Sequence, residues 1–343
     1  MGTWASGGPR RVHGSDPASQ TTATSAPGNF ERKVDSVQDV FTLAHLSDLH
    51  ITDPANVRPG QLLGKRLLSW LSWRIRRGSE HLPEVFEAAR VDLRRAEPQQ
   101  VVVTGDITCL GLPCEYRQAV PLFEELGPQG HVLVVPGNHD VQGRRRGDPA
   151  LDLWLPWLFP GGRPDPSEKG IASSFPSLTV KNTFAFIGLC TARPKPPFLA
   201  TGTLGRRQIA ALRRVLAECR NRGLVRIVAM HHPPDPHLLA RRKRLTDGHD
   251  LLEVLRDEGA ELILHGHAHH PSETHVQGPG GPIPVLGAPS ATDIGLRPSR
   301  RARFNLLRLL RRGGHLEIEI EVRGYDPRTR SFRHESRRRL LGD

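Results

Sequence analysis

Short apolar runs alternate along the chain with longer amphipathic stretches. Apolar runs rich in β-branched residues are typical of strands buried in a sheet, and a period of 3.6 residues is typical of helices. The predicted strands are Phe41 to Leu46, Gln100 to Thr104, His131 to Val135, Thr183 to Leu189, Val225 to Met230 and Glu261 to Leu264. The predicted helices are Pro83 to Glu97, Pro113 to Leu126, Leu204 to Arg222 and His249 to Glu258. Strands that alternate with helices in this way predict an α/β fold.

The chain after His270 has a different pattern. Short β-type runs follow at Pro284 to Leu286 and Phe304 to Leu310, and Leu316 to Val322 alternates between apolar and acidic side chains. Such alternation predicts a half-exposed edge or hairpin strand. We therefore predict one domain over residues 38–325, preceded by a disordered arm (1–37) rich in Gly, Ser, Thr, Ala and Pro. A basic C-terminal tail (326–343) is expected to follow it.

The segment from Gln61 to Arg77 predicts a basic amphipathic helix that contains no acidic residue. This pattern, with tryptophans at positions 70 and 73, is typical of a helix that lies at a lipid interface. A helix that packs on its own domain, with its arginines in water, also fits the pattern, so both interpretations stay open. The apolar face comprises Leu63, Leu67, Leu68, Trp70, Leu71 and Ile75, and the basic residues mostly opposite are Lys65, Arg66, Arg76 and Arg77.

A long stretch with little periodicity separates Asp140 from the strand that begins at Thr183. It contains a run of three arginines (144–146) and an aromatic cluster of Trp154, Trp157 and Phe159. A long irregular segment directly after a polar motif is often a lid or a recognition loop. A variable surface insertion would look the same in the sequence.

The chain is strongly basic, with a formal net charge of +12. A phosphorylated substrate, an anionic membrane and nucleic acid are all compatible partners for such a protein. Much of the excess lies in two arginine-dense stretches, Arg297 to Arg312 and Arg323 to Arg339, which could equally form a solvated surface. Only six of the 48 basic residues are lysine, a bias that suggests a GC-rich bacterial genome.

The four cysteines form no CxxC pair and lie in or beside apolar segments, which predicts buried free thiols in a reducing compartment. No apolar run approaches the length of a membrane span. The expected location is therefore the cytoplasm, with peripheral attachment to the inner face of the membrane if the basic helix is interfacial.

Five predicted strands end in residues that bind metals. The carboxyl ends of neighbouring strands meet at one rim of a sheet, where open α/β folds build their sites. Imidazole, carboxylate and amide groups together suit Zn, Mn, Fe or Co better than Mg or Ca. The residues are Asp48 and His50, Asp106, Asn138 and His139, His231 or His232, and His267 and His269.

Two metal ions at this rim would make a pocket for phosphate. Two carboxylates do not neutralise two divalent cations, so the pocket would stay positive. Asp106 could bridge the ions at the ~3.5–4 Å separation of two-metal sites. A hydroxide held there would be nucleophilic at neutral pH, because a bound metal lowers the pKa of water.

Five motifs resemble those of the calcineurin-like metallophosphoesterases: Asp48-x-His50, Gly105-Asp106, Gly137-Asn138-His139-Asp140, His231 and Gly266-His267-x-His269. The resemblance extends from about Phe41 to His270. It implies a four-layer α/β/β/α sandwich of the metallophosphoesterase type. It also implies a dinuclear centre of Mn, Fe or Zn whose bound hydroxide attacks a phosphodiester or pyrophosphate bond.

The resemblance also implies a role for each residue. One ion would be held by Asp48, His50, Asp106 and His269, and the other by Asp106, Asn138, His231 and His267. His139 would lie over the phosphate and stabilise charge or protonate the leaving oxygen, with Asp140 orienting its ring. We favour His231 over His232 as the ligand because it is nearer the strand end. Cys109 departs from the pattern of the purple acid phosphatases, which have a tyrosine ligand three positions after the motif Asp.

The substrate stays open between two types. His231-His232-Pro233-Pro234 and Thr104-Gly105-Asp106-Ile107-Thr108 resemble the class III cyclic-nucleotide phosphodiesterases. Residues 65–73 are similar to a segment of bacterial relatives, among them enzymes that cleave the pyrophosphate of UDP-2,3-diacylglucosamine in lipid A synthesis. A lipid-linked diphosphate would explain the basic amphipathic helix, whereas a cyclic nucleotide would not require it.

Two other functions are alternatives to hydrolysis of these substrates. A nuclease of the same superfamily would fit the positive charge, but the chain lacks the long helical appendages that such nucleases usually carry, so a nucleic-acid partner is disfavoured. A non-catalytic scaffold that keeps the fold would have lost ligands, whereas every ligand position and the histidine at 139 are filled. The sequence does not indicate the oligomeric state.

Overall fold

Within the residues that the computed structural model describes, twelve strands form two six-stranded sheets. These residues are 39–50, 53, 57–62, 65–142, 149–162, 171–312 and 315–341. The predicted arm, Leu63 and the arginines at 144–146 lie outside them, as do the side chains of Arg76 and Arg77. The strands are β1 (Asp39–Leu46), β2 (Gln100–Val103), β3 (Val132–Val134), β4 (Ser177–Lys181), β5 (Phe184–Gly188), β6 (Val225–Ala229), β7 (Leu262–His265), β8 (Ser272–Gly278), β9 (Gly281–Gly287), β10 (Arg303–Arg312), β11 (His315–Asp326) and β12 (Ser331–Leu341).

The helices lie mainly in the connections between these strands. They are α1 (Lys65–Ser72), α2 (Gly78–Glu80), α3 (Pro83–Ala96), α4 (Pro113–Leu126), α5 (Leu155–Leu158), α6 (Arg206–Asn221) and α7 (Gly248–Glu258). Single 3₁₀ turns cover Pro59–Gln61, Pro149–Trp154, Ile171–Ser173, Arg241–Lys243 and Pro298–Arg300, and Trp73–Arg77 is a π-helical turn. In the described part of the chain, no helix combines the length and the apolar character needed to span a bilayer.

In each sheet the parallel strands are neighbours, so their carboxyl ends lie side by side. The strand order is β12-β11-β10-β1-β2-β3 in the first sheet and β4-β5-β6-β7-β9-β8 in the second. Strands β1, β2 and β3 run parallel, and so do β5, β6, β7 and β9. The carboxyl ends of β1, β2, β3, β6 and β7 carry the five predicted ligand motifs.

The sheets pack face to face between two layers of helices. The ring of Phe41 in β1 contacts those of Phe184 and Phe186 in β5, at centroid distances of 4.8 and 5.5 Å. Helices α3 and α4 bury apolar residues such as Phe123 in the same core. Helices α6 and α7 bury Leu212 and Leu251 against the other face of the second sheet. The predicted four-layer α/β/β/α sandwich is therefore confirmed.

The predicted basic C-terminal tail is wrong. Residues 331–341 form β12, which pairs antiparallel with β11 at the edge of the first sheet. The sequence hid this strand because most of its side chains are arginines and other polar groups that face solvent, while Phe332 alone of its aromatic residues is buried. Strand β11 pairs antiparallel with β10 on one side and with β12 on the other, so of the two predicted alternatives it is a hairpin strand and not an edge strand.

The arginines of these strands are paired with acidic residues. Arg337 contacts Glu321 of β11, Arg338 Nη2 lies 2.6 Å from Glu273 Oε2 of β8, and Arg303 Nε lies 2.5 Å from Glu335 Oε2. Much of the charge in the two arginine-dense stretches is therefore balanced on the surface of the first sheet.

The aromatic cluster after Asp140 belongs to the domain core. Trp154 and Trp157 are buried, and the Trp154 ring packs edge-on against Tyr116 and Phe123 of α4 at centroid distances of 5.2 and 5.1 Å. The Trp154 indole N–H donates to the Tyr116 carbonyl at 2.9 Å. Residues 149–162 therefore pack as part of the domain, and the aromatic cluster does not form a lid.

Candidate metal centre

The predicted ligands meet where the loops after five strands converge. Backbone hydrogen bonds join these loops: Asp48 N donates to Gly105 O at 2.9 Å, and His50 N donates to Asp106 O at 3.0 Å. Gly266 N donates to His231 O at 3.1 Å and so connects the loops after β6 and β7. The ligands of each sheet are thus fixed relative to one another by the backbone.

One group of ligand atoms lies at the end of β1. Asp48, His50, Asp106 and His269 each offer an atom within 4.8 Å of the others. His269 Nε2 is 3.2 Å from Asp48 Oδ1, and His50 Nε2 is 3.9 Å from that oxygen and 3.8 Å from Asp106 Oδ2. This is the set that the sequence predicts for the first ion.

A second group shares Asp106. The ligand atoms of Asp106, His231 and His267 also lie within 4.8 Å of one another, and His231 Nε2 is 3.3 Å from Asp106 Oδ2. Asn138, the amide predicted for this ion, is buried, and the next residue donates its N–H to Asp106 Oδ1 at 2.7 Å. Asp106 is therefore placed to bridge two ions.

The buried polar atoms at this site fit metal ions. Among the described residues, Asp48 Oδ1, Asn138 Oδ1 and His231 Nε2 are buried and have no hydrogen-bond partner. Buried polar atoms in proteins almost always have a partner. All three belong to predicted ligands, so the donor set matches a pair of divalent ions of the kind that accept imidazole, carboxylate and amide ligands.

The opposite nitrogens of three ligand histidines are held by backbone carbonyls. His50 Nδ1 lies 3.2 Å from Thr108 O, His231 Nδ1 lies 2.7 Å from Thr104 O, and His267 Nε2 lies 3.1 Å from Lys243 O. A ligand histidine usually donates its second N–H in this way, which fixes the orientation of the ring and the nitrogen that faces the metal.

His231 and His232 differ in the partners of their ring nitrogens. His232 Nδ1 lies 2.7 Å from Thr191 Oγ1, and its Nε2 lies 3.1 Å from Ala200 O. Both of its nitrogens are therefore engaged with the protein, whereas His231 keeps Nε2 directed at Asp106. The geometry supports His231 as the ligand.

Backbone conformation also marks the site. Asp48, His50, Asp106, His267 and His269 have φ between 47° and 67°, in the left-handed region that non-glycine residues rarely adopt. Such strain persists where the surrounding structure enforces it and is concentrated at functional sites. In the loop after β1 it accompanies two side chains, those of Asp48 and His50, that offer ligand atoms to the same group.

Two glycines allow the loops to approach closely. A Cβ at Gly137 would overlap Asp106, and a Cβ at Gly266 would overlap Ser47 Oγ. Because Ser47 Oγ donates to Asp48 Oδ2 at 2.6 Å, any side chain at position 266 would push a ligand carboxylate aside. Positions 137 and 266 therefore require glycine, because a Cβ at either position would overlap neighbouring atoms.

The orienting role predicted for Asp140 is wrong. Its carboxylate accepts hydrogen bonds from the backbone N–H groups of residues 106, 107, 108 and 137 at 2.9 to 3.0 Å, and so organises the loop that carries Asp106. The ring of His139 is held instead by the Cys109 carbonyl, 2.7 Å from Nδ1. The direction of a carboxylate depends on the path of its loop, which the motif alone does not reveal.

The charges of the site are strongly coupled. Burial raises the pKa of the Asp48 carboxyl to about 6 and, together with Asp106, that of the Asp140 carboxyl to about 7. Burial lowers the pKa of His231, but attraction to the Asp106 carboxylate outweighs it and raises the pKa to about 9. Burial also disfavours the Asp106 carboxylate, but His231 and His139 hold its pKa well below its usual range. Asp106 is therefore ionised, and either protonated His231 or a metal ion balances its negative charge.

Several supporting residues escaped the sequence analysis. The Glu115 carboxylate accepts the backbone N–H groups of Cys109, Leu110 and Leu112 and fixes the loop after β2. Its position as the third residue of α4 was the available signal, since an acidic residue there often caps a helix. Gln142 donates to the Cys109 carbonyl at 3.0 Å, beside the His139 ring, and nothing in the sequence marks it.

A small cavity opens beside His139. It has a volume of about 210 Å³, and Asn138 and His139 form its inner end. Lys65, Leu68, Ser69 and Ser72 of α1 line one side, and residues 198–200 line the other. We call it the entry cavity because it connects the ligand cluster with the protein surface.

Comparison with known proteins identifies similar folds. The family model of the calcineurin-like phosphoesterases matches residues 41–271. A dimetal phosphatase from Danio rerio superposes with a TM-score of 0.52 at 15% identity, over 80% of this chain and 96% of its own. A purple acid phosphatase from yellow lupin seeds gives a TM-score of 0.51 at 12% identity, over 83% of this chain and 52% of its own, so the chain spans about half the length of that enzyme. No curated protein sequence matches the chain.

Proposed function

Because the chain belongs to the calcineurin-like phosphoesterases, metal-dependent hydrolases with a dinuclear centre, we propose that it hydrolyses a phosphodiester or pyrophosphate bond. The observation that carries the proposal is the pair of ligand groups that share Asp106. When bound, the two ions supply Lewis-acid activation of water and of the phosphoryl oxygen. The protein supplies the position of both ions and of the groups around them.

His139 is the proton donor in this proposal. Its Nδ1 lies 2.7 Å from the Cys109 carbonyl oxygen and 2.8 Å from the Gln142 side-chain nitrogen, and the residue lines the entry cavity. From this position its side chain would stabilise charge on the phosphoryl group or protonate the leaving oxygen. Asp140 supports the reaction indirectly, because it holds the loop that presents Asp106.

The substrate is proposed to be a cyclic nucleotide or a nucleotide-linked lipid such as UDP-2,3-diacylglucosamine. The surroundings of the entry cavity favour the lipid, because the exposed Phe198 and Leu199 border it on one side and α1 with its exposed leucines on the other. The four free cysteines fit a cytoplasmic location, with the substrate approached from the inner face of the membrane.

The reaction is tested with bis-(p-nitrophenyl) phosphate and protein reconstituted separately with Mn, Zn, Fe and Co. We expect hydrolysis with at least one of these metals, and loss of both activity and bound metal in Asp106→Asn. The control is His275→Ala, since His275 is exposed on β8 and belongs to none of the candidate ligand groups of the described residues, so it should not affect either measurement. Absence of hydrolysis with all four metals would contradict the proposal.

The substrate is tested by assaying cyclic AMP and UDP-2,3-diacylglucosamine side by side with the same metal-replete preparation. Cleavage of the lipid in detergent, with little turnover of cyclic AMP, is the expected result. The reverse preference would assign the chain to cyclic nucleotides.

A further inference from the structure

Helix α1 has three distinct faces. Trp70 and the following Trp73 pack on the apolar group formed by Cys109, Leu110 and Leu112, and Arg66 donates to the carbonyls of Leu110 and Gly111. A second face lines the entry cavity. The third face leaves Leu67 (42% exposed) and Leu71 (39%) in solvent, and Ile75 (79%) of the following π-helical turn is exposed four residues further on.

The turn on the other side of the entry cavity also exposes an apolar side chain. Phe198 is 80% exposed and has a φ of 66°, and Leu199 N donates to Pro196 O at 3.3 Å to close the turn. Glycine or asparagine is preferred at such a left-handed turn position. A bulky aromatic residue there is strained, and strain of this kind is a reason to look for function.

A basic turn adjoins Phe198 and the ligand cluster. Ala200 N donates to Arg242 O at 2.9 Å, Lys65 Nζ donates to Leu199 O at 2.9 Å, and the Lys243 carbonyl holds the His267 ring. Hydrogen bonds thus join helix α1 to the Phe198 turn, and the Phe198 turn to the turn Arg241–Lys243, around the cavity. Residues 57–75, 193–204 and 236–246 carry four, two and four Lys or Arg residues and no Asp or Glu.

We propose that these three segments form one docking surface for an anionic lipid bilayer. The docking surface consists of Leu67, Leu71 and Ile75, the Phe198 turn, and the exposed Arg241 and Arg242. Apolar side chains that enter the headgroup region, flanked by basic residues, are the features of interfacial membrane binding. The arginines of β12 are not part of this docking surface, because ion pairs with acidic neighbours balance their charge.

Docking in this orientation presents the entry cavity to the headgroup layer. A lipid-linked diphosphate could then place its phosphates at His139 while its acyl chains stay in the bilayer. The inference deepens the proposed function and rests on its lipid-linked substrate. Binding to a bilayer can nevertheless be measured without turnover.

The test is sedimentation of the full metal-loaded chain with vesicles of phosphatidylcholine, with and without phosphatidylglycerol. We expect binding only to the vesicles that contain phosphatidylglycerol. Arg241→Gln with Arg242→Gln should weaken that binding roughly thirtyfold at low ionic strength, the effect of two basic residues at an anionic surface. Leu67→Ser with Ile75→Ser should weaken it by roughly tenfold or more.

Matched controls come from the opposite end of the sandwich. Arg94→Gln with Arg95→Gln removes two exposed arginines at the end of α3, and Val180→Ser removes a partly exposed apolar side chain beside Lys181, which contacts Gln99 at the start of β2. These variants should bind vesicles like the unaltered chain. All the variants should hydrolyse bis-(p-nitrophenyl) phosphate normally, which shows that they are folded.

Three results would overturn the inference: no binding to either vesicle, equal loss of binding in the controls, or binding of a DNA duplex in place of vesicles. The outcome for the substrate is separate. Vesicle binding without cleavage of UDP-2,3-diacylglucosamine would leave the docking surface standing and refute the lipid-linked substrate. Cleavage of UDP-2,3-diacylglucosamine in detergent without vesicle binding would support the lipid-linked substrate and refute the docking surface.

Discussion

At the scale of single residues, His139 and the metal ligands differ in what holds them. The His139 ring is held at Nδ1 by the Cys109 carbonyl, and the backbone N–H of His139 donates to Asp106. The ligand atoms Asp48 Oδ1 and His231 Nε2, by contrast, have no hydrogen-bond partner among the described residues. The chemistry at His139 can therefore be separated from metal binding by mutation.

Replacing His139 by Ala should lower turnover by roughly 10²–10⁴-fold, the range for a lost general acid. Bound metal, measured by elemental analysis, should stay nearly unchanged, because the Asp106 and His231 side chains remain in place. His231→Ala is the comparison, since it should lose metal as well as activity. Loss of metal from the His139 variant would show that the division of roles is wrong.

Metal affinity should rise with pH. Without metal, His231 has a pKa of about 9 because Asp106 attracts its proton, and burial raises the pKa of Asp48 to about 6. A metal binds only the deprotonated groups, so it must displace the His231 proton below pH 9 and the Asp48 proton below pH 6. We expect apparent affinity to increase about tenfold per pH unit between pH 6 and 9, and more steeply below pH 6.

Competition with a chelator at several pH values measures this dependence. Calorimetry in buffers of different ionisation enthalpy should show that about one proton is released at pH 7.5. Affinity that is independent of pH between 6 and 9 would mean that Asp106 does not hold a proton on His231.

The sequence predicted which residues lie together at this site, because each follows a buried strand and the carboxyl ends of those strands must meet at one rim. It could not predict the direction of Asp140, nor the choice between the two nitrogens of each histidine. Both depend on the left-handed backbone at residues such as Asp48 and Asp106, which a motif does not encode.

At the scale of elements, strands with neither an apolar run nor a clear apolar–polar alternation were the hardest to predict. The buried strands β1, β2 and β6 were found within a residue or two, because their side chains are apolar on both faces. Strands β4, β8 and β12 escaped, since tertiary pairing stabilises them more than their own side-chain pattern does. Helix α1 was found, but its contact through Arg66 was not, because the pattern assigned all arginines to solvent.

Strand β12 should be essential to the stability of the first sheet. Phe332 is 5% exposed, and its ring lies 5.2 Å from that of Phe304 and 5.7 Å from that of Tyr325. Phe332→Ala should lower the free energy of unfolding by about 3–5 kcal/mol, the usual cost of removing a buried phenylalanine. Urea denaturation of the metal-free protein measures it.

The control for Phe332 lies beside it in the same strand. Arg333 forms an exposed ion pair with Asp326 at 3.2 Å, so Arg333→Ala should change the free energy of unfolding by less than about 1 kcal/mol. Equal and small effects of the two substitutions would mean that β12 contributes nothing to the core and behaves as the tail expected from the sequence.

At the scale of the whole molecule, the metal centre joins the two sheets. Asp48, His50 and Asp106 follow strands of the first sheet, whereas His231, His267 and His269 follow strands of the second. The packing of Phe41 on Phe184 and Phe186 holds the same sheets together elsewhere. Ions bound by both sets of ligands would therefore oppose separation of the sheets, in addition to their role in the reaction.

Metal binding should consequently stabilise the entire domain. A ligand that binds only the folded state adds about 2.7 kcal/mol when its free concentration is a hundred times its Kd. Thermal unfolding of metal-loaded and chelated protein should show a higher Tm with metal, and the gain should persist in His139→Ala, which keeps all the ligands. His231→Ala should lose most of the gain, because one ion then lacks a ligand from the second sheet. If chelation left the Tm unchanged while activity disappeared, the ions would not stabilise the folded state, and the idea that they hold the two sheets together would be wrong.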